Sequence, residues 1–229
     1  MSKRVVEWAG RFWRWVKPLL VAGVVVLGLR SAVADWNDVP TGSMKPSIVE
    51  GDRIFVNKCA YDLKVPFTGW RIAEWSEPER FDVVVCFSPE NGVRLVKRIV
   101  GLPGDTVELR NNVLYVNGRA AEYEPVLGGL GTSGDVRRPI VAMLESIGGH
   151  SHPVLFNPTM AAMRTFGPVK LADDEYFVMG DNRDDSRDGR YFGAVPRRSI
   201  AGRTSAVVFS LDLDHAGRPR PGRFLQEIP

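Results

Sequence analysis

Three short segments of this chain carry residue types that could act together in acyl transfer. The first, Val39-Pro40-Thr41-Gly42-Ser43-Met44-Lys45-Pro46-Ser47-Ile48, places a serine between a glycine and a methionine. Its prolines favour an extended backbone, and its glycine would let another main chain approach closely. A serine hydroxyl becomes a nucleophile only beside a base, most familiarly a histidine. The three histidines, His150, His152 and His215, fall in Gly- and Pro-rich stretches and read as loop residues, not as triad members or metal ligands. A lysine serves instead if its amine is neutral at working pH, and burial can lower a lysine pKa from about 10.4 by about 3 to 5 pH units. Such a lysine belongs inside an apolar strand. Lys97 fits: in Leu95-Val96-Lys97-Arg98-Ile99-Val100, alternation puts it on one face with Leu95 and Ile99 and sends Arg98 the other way. By alternation alone it is equally a solvent-facing strand lysine, just as the serine segment alone is equally a turn. The third segment runs from Met179 to Gly193 and alternates acids with arginines between glycines and aromatics. That pattern suits a self-paired network holding one loop shape. The interleaved arginines and the lack of a closing glutamate argue against a calcium loop.

The elements that must position these residues are mostly short strands. From Trp36 onward helical periodicity is scarce, and β-branched runs such as RIFV, FDVVVCF, VRLVKRIVGL, DTVEL and NNVLYVNG alternate with turn signals. Asn117-Gly118 reads as a hairpin turn. The expected fold is therefore mainly β, an antiparallel core over residues 37–118 and 171–213, with a smaller inserted lobe over 119–170. GGLGTSG, GGHSH and FNP interrupt the strand patterns of that lobe. Residues 214–229, rich in Pro, Gly and Arg, read as a poorly ordered tail.

Residues 1–17 are basic, with Lys3, Arg4, Arg11, Arg14 and Lys17 against Glu7, and an apolar run from Pro18 to Leu29 follows. Spanning a bilayer takes about 20 residues, so the anchor is read as 18–36, with Trp13, Trp15 and Trp36 as interfacial residues and Arg30 near the outer end. The charge bias predicts the N-terminus inside and the rest outside, hence a single-pass protein of the cell membrane in contact with lipid. The competing reading is a cleavable signal ending Ala32-Val33-Ala34. A net charge of +3 over 229 residues gives little reason to expect nucleic-acid binding. Cys59 and Cys86 each lie in an apolar run and read as free thiols, although an exported domain could bond them.

Taken together and in order, PTGSMKPSI, GDRIFVNK, FDVVVCFSP with LVKRIVGLPGD, and MGDNRDDSRDGRYFGAVP resemble the motifs of bacterial type I signal peptidases, over roughly half of the chain. The resemblance departs in small ways: Pro-Ser-Ile stands where Pro-Thr-Leu is usual, and Asn37 where an apolar residue is common. It implies that Ser43 is the nucleophile and Lys97 its general base, with Thr41 helping to bind the oxyanion. Ser186 would orient the lysine amine. Asp188 and Arg190 would form a supporting ion pair, with Asp181 and Arg183 in a similar structural role. Val39, Pro40, Met44, Ile48, Ile54, Leu95 and Val96 would line shallow pockets for small substrate side chains. The implied activity is removal of signal peptides from exported preproteins after an A-x-A pattern, with no cofactor or metal. Two rivals stay open, a specialised Ser/Lys protease maturing a conjugation or pilus protein and a non-enzymatic tethered β domain. A self-cleaving repressor would need a DNA-binding segment in place of the apolar N-terminus, and none is visible in the sequence.

Overall fold

A computed structural model of the chain describes residues 3–68, 70–126, 140–213 and 215–229. The N-terminal segment forms helix α1 (Lys3–Ala32), of which Phe12–Ala32, with a mean hydropathy of 1.6, is long and apolar enough to cross a membrane. Its 21 residues span about 31 Å, close to the ~30 Å of a bilayer's hydrocarbon. The helix starts and ends earlier than 18–36. Strand β1 (Ala34–Asp38) leaves it to pair with β2 (Asp52–Asn57), so Trp36 is a strand residue opposite Phe55 and not part of the helix. Arg30 closes this junction, donating from Nε to Asp35 at 2.8 Å.

A hairpin of β3 (Asp62–Lys64) and β4 (Arg71–Glu74) follows, then β5 (Val83–Phe87), β6 (Arg94–Gly101), β7 (Thr106–Arg110), β8 (Val113–Val116), β9 (Arg119–Ala120) and β10 (Glu122–Pro125). Next come β11 (Val141–Ile147), β12 (His150–Phe156), β13 (Phe166–Lys170), β14 (Glu175–Met179), a short helix α2 (Gly189–Phe192), β15 (Val195–Pro196) and the long β16 (Ile200–Asp212). Two short strands, β17 (Arg218–Pro219) and β18 (Gln226–Glu227), end the chain. A nine-stranded sheet runs β1-β2-β16-β5-β6-β14-β15, with β17 and β18 also on β16. Two smaller sheets, β13-β7-β8-β9 and β10-β11-β12, complete a mainly antiparallel β fold. Asn117 and Gly118 turn between β8 and β9 with φ of 52° and 77°, the positive values that a two-residue hairpin requires.

Strand β5 explains the run Val83–Cys86. Val83 and Val85 pack with Val39, Met44, Ile48 and Ile54 on one face, and Val84 and Cys86 pack with Tyr61, Ile99 and Val178 on the other. A strand covered on both faces reads as continuously apolar. Both cysteines are free, Cys86 buried and Cys59 half-buried.

One expectation is corrected here. The segment after 213 is not loose: Arg223 donates from Nη2 to Asp52 at 2.6 Å and to the Ser47 carbonyl at 3.0 Å, and Ile228 packs against the Met44–Ile48 cluster. Its arginines find buried or half-buried acceptors, which composition alone does not reveal. The lobe, for its part, is built of β10–β12 and its strands reach the site, as described below; its GGLGTSG run lies outside the described residues.

Candidate active site

Ser43 lies between β1 and β2 in a segment wound into consecutive turns, with the Lys45 amide donating to Gly42 O and the Ile48 amide to Met44 O. The extended backbone expected from the prolines is therefore absent. Gly42 serves the protein's own packing: a Cβ there would stand 2.5 Å from Glu50 Oε1, and Glu50 is held at 2.7 Å by Lys45.

Lys97 reaches this turn from β6. Its Nζ lies 2.6 Å from Ser43 Oγ, across 54 residues of sequence, and donates to the Val96 carbonyl at 3.0 Å. Only 3 % of Lys97 is exposed. Burial pushes its amine below the usual lysine value, against the opposing pull of Asp188 and Asp181. A neutral amine here spends one N–H on Val96 and aims its lone pair at the serine hydroxyl, the geometry for proton removal.

The open side of the site is an edge. Strand β5 pairs Arg94–Arg98 on one side of β6, but β14 takes up β6 only from Arg98 to Gly101. Among the described residues, no strand pairs Arg94–Lys97 on that second side. Leu95 and Val96 are half-buried there and Pro40 is exposed. Val39 (5 % exposed), Met44 (1 %), Ile48 (0 %) and Ile54 (0 %) are core. Of the expected pocket residues these four are buried, while Pro40, Leu95 and Val96 reach the surface. Thr41 is exposed two residues before Ser43.

The third segment locks the first two together. The Asn182 amide donates to Ser43 O at 3.1 Å and its Nδ2 to Gly42 O at 3.0 Å, fixing the backbone on either side of the Ser43 amide. Asp188 takes Arg190 Nε at 2.8 Å and the Gly180 amide at 2.9 Å. Burial raises the Asp188 carboxyl pKa, but Arg190 and the Gly180 amide outweigh that and hold it below the usual range. The expected Asp188–Arg190 pair is thus present, with 0 % and 3 % exposure.

Asp181 and Arg183 also sit in buried ion pairs, but with partners outside the loop. Asp181 binds Arg98 in a fork at 2.8 and 2.7 Å and accepts from Ser47 Oγ, while Arg183 binds Glu145 of β11, with Nη2–Oε1 at 2.7 Å. Each finds its partner on another element, Asp181 on β6 and Arg183 on β11. The self-paired network is self-paired only at Asp188–Arg190. The buried Ser186 Oγ lies near Asp188 and helps to keep that carboxyl charged, and among the described residues it makes no bond to the Lys97 amine, which is satisfied by Ser43 and Val96.

Gly180 shows how closely these segments meet. A side chain there would collide with both the Ser43 carbonyl and the Ser186 hydroxyl. Gly180→Ala should displace the Ser43 turn by about 1 Å and slow reaction at Ser43 on the order of 10²-fold, read as the rate at which an acylating probe labels that serine.

Sequence reasoning missed Glu145, Asn182 and the true setting of His152. His152 is not a loop residue: it lies on β12, is 1 % exposed and packs at a tilt against Phe81, with 4.9 Å between centroids. Its Nε2 is 3.5 Å from Glu145 and 3.8 Å from Asp181, carboxylates already taken by Arg183 and Arg98. Burial pushes its pKa down to about 4 from 6.5. The unfolded chain binds this proton at higher pH than the folded one, so stability declines as pH falls from 6.5 toward about 4. Urea midpoints across this range should show the slope in the wild type and a shallower one in His152→Leu.

The chain is similar to proteins of known family. The family model described as "Signal peptidase, peptidase S26" matches residues 12–209. A signal peptidase I of Pseudomonas aeruginosa is 36 % identical over 198 residues, 81 % of this chain and 68 % of that one. A signal peptidase I P of Bacillus subtilis subsp. natto is 34 % identical over 199 residues, 86 % of this chain and 89 % of that one. Among solved structures, a signal peptidase I of Enterococcus faecalis is 32 % identical, with a TM-score of 0.36 over 56 % of this chain and 97 % of the other. A family match over residues 12–209, with relatives 34–36 % identical over more than four fifths of the chain, means that the chain belongs to the signal peptidase family.

Proposed function

We propose that the chain is a membrane-anchored serine endopeptidase that removes signal peptides from exported preproteins by cutting after a small residue. The observation that carries this reading is the 2.6 Å approach of Lys97 Nζ to Ser43 Oγ inside a site that lowers the amine's pKa. The substrate lies as an added strand along the free edge of Arg94–Lys97, which brings its scissile carbonyl over Ser43. Lys97 takes the hydroxyl proton as Oγ attacks, and returns it to the leaving amine as the acyl-enzyme forms. A water, deprotonated by the same amine, then releases the acyl group. The Ser43 amide and the Thr41 hydroxyl receive the oxyanion, and the two Asn182 bonds hold that backbone still. Ser186 supports the lysine once substrate draws Ser43 away. The basic N-terminal residues keep that end of α1 in the cytoplasm and place the β domain outside.

The test is cleavage of a preprotein carrying an A-x-A site by the detergent-solubilised chain. Product ending at that alanine supports the reading, and intact preprotein in the presence of folded protein contradicts it. Thr41→Val should slow the reaction by about 2.7 to 4 kcal/mol in barrier with little change in KM. An unchanged kcat would remove Thr41 from the oxyanion site.

A further inference from the structure

The Ser43–Lys97 contact is one of two bridges between the same pair of segments. Arg94 opens β6 three residues before Lys97, and its Nη1 donates at 2.6 Å to Oδ1 of Asn37, which lies on β1 six residues before Ser43. An apolar side chain at position 37 could not accept this bond. Pro40, Leu95 and Val96, the expected pocket residues that reach the surface, all fall between the two bridges in sequence. On β6 the bridges are three residues apart, about 10 Å of strand. The slot they bound holds about three residues of an added strand, the length of an A-x-A pattern. Its outer end is also charged. Arg94 has 43 % of its side chain exposed, lies over the Phe87 ring at 5.7 Å and stands 3.8 Å from Asp35. That carboxylate is already held by Arg30 at 2.8 Å and by Lys58 at 3.5 Å. Three cations thus share Asp35, and Arg94, the farthest of them from it, is the one on the free edge.

We propose that Arg94 and Asn37 set substrate specificity at the outer end of the slot, favouring an acidic residue and disfavouring a basic one at the fourth position before the cut. This rests on the reading of the free edge as the place of the substrate's residues before the cut, running parallel to β6. With the last of those residues at the Lys97 end, each step back moves about 3.3 Å, so the fourth lies opposite Arg94 and points to the same face. A carboxylate there takes a guanidinium that the protein itself holds by one neutral hydrogen bond and a distant ion pair. A lysine or arginine there meets positive charge that Asp35 does not balance.

The test uses three preproteins that differ only in the residue just before the A-x-A pattern, glutamate, glutamine or lysine, cut by the detergent-solubilised full-length chain. Wild type should prefer glutamate to lysine in kcat/KM on the order of tenfold, with glutamine between. The preference should shrink toward none at 1 M salt, where screening acts over about 3 Å. Neither reading requires a variant to fold. Arg94→Gln should level the three substrates, and Arg94→Glu should reverse their order. Asn37→Leu, which removes the acceptor that holds Arg94, should weaken the preference without reversing it. A bridge that is merely structural would lower all three rates together in the Arg94 variants and leave their ratio alone; that result, or equal rates in wild type, overturns the proposal. A folded wild type that cuts none of the three contradicts the signal-peptidase reading and this proposal with it, whereas cutting all three at one rate contradicts the proposal alone.

Discussion

Replacing Ser43 by alanine or Lys97 by methionine is expected to lower preprotein cleavage by at least about 10⁴-fold, with the double variant no slower than either single one. The two atoms act as one unit, so losing either loses the unit. The Lys97 variant carries a second expectation that separates catalysis from structure. The folded chain holds this amine at a pKa below 10.5. Between that folded value and 10.5 the unfolded chain keeps a proton that the folded chain has given up, and at lower pH the folded chain must carry a buried charge. At neutral pH the lysine therefore works against folding. Lys97→Met should melt at the wild-type temperature or above it while losing activity. Cleavage retained by a folded variant would sink the dyad, and a lower melting temperature would show that Lys97 holds the fold together.

Glu145→Ala should be the most damaging substitution to stability, costing about 3–5 kcal/mol by leaving Arg183 charged and unpaired in the interior. Glu145 and Arg183 are 0 % and 1 % exposed, and Tyr123 also donates to the glutamate. Replacing both by apolar residues, as in Glu145→Leu/Arg183→Met, should recover much of the loss, because the cost lies in the orphaned charge more than in the missing attraction. Urea unfolding of the three chains decides this. If Glu145→Ala unfolds at the wild-type midpoint, the pair does not brace the loop. The effect should reach the site as well, since Arg183 and Asn182 are adjacent and Asn182 holds Ser43 and Gly42.

The sequence made the chemistry more legible than its supports. Serine beside glycine and a lysine within an alternating apolar strand are local patterns, and the structure joins them at 2.6 Å. Strand runs such as FDVVVCF and VRLVKRIVGL were equally plain because strand alternation and turn residues are local physics. What stayed hidden depends on long-range pairing. Arg98 was read as pointing away from Lys97, and it does so, but its carboxylate partner Asp181 lies 83 residues on. Glu145 shows the same signal as Lys97, a charge within an apolar strand, but in VAMLESI the alternation is weaker and nothing local points to its partner Arg183, 38 residues on. The C-terminal arginines read as a solvated tail because composition registers charge and misses the buried carboxylate of Asp52 that receives Arg223. Trp36 was assigned to the membrane by its type, whereas its pairing with Phe55 made it a strand residue.

The central claim, that a neutral buried Lys97 activates Ser43, is tested most directly by the pH dependence of preprotein cleavage under single-turnover conditions. Full-length wild type should show one ionisation on the acid side, with activity lost as pH falls through a pKa below that of free lysine. The same ionisation should govern labelling of Ser43 by an acylating probe. A rate that rises only as pH approaches the value of free lysine, or an acid limb that survives in Lys97→Met, would contradict it.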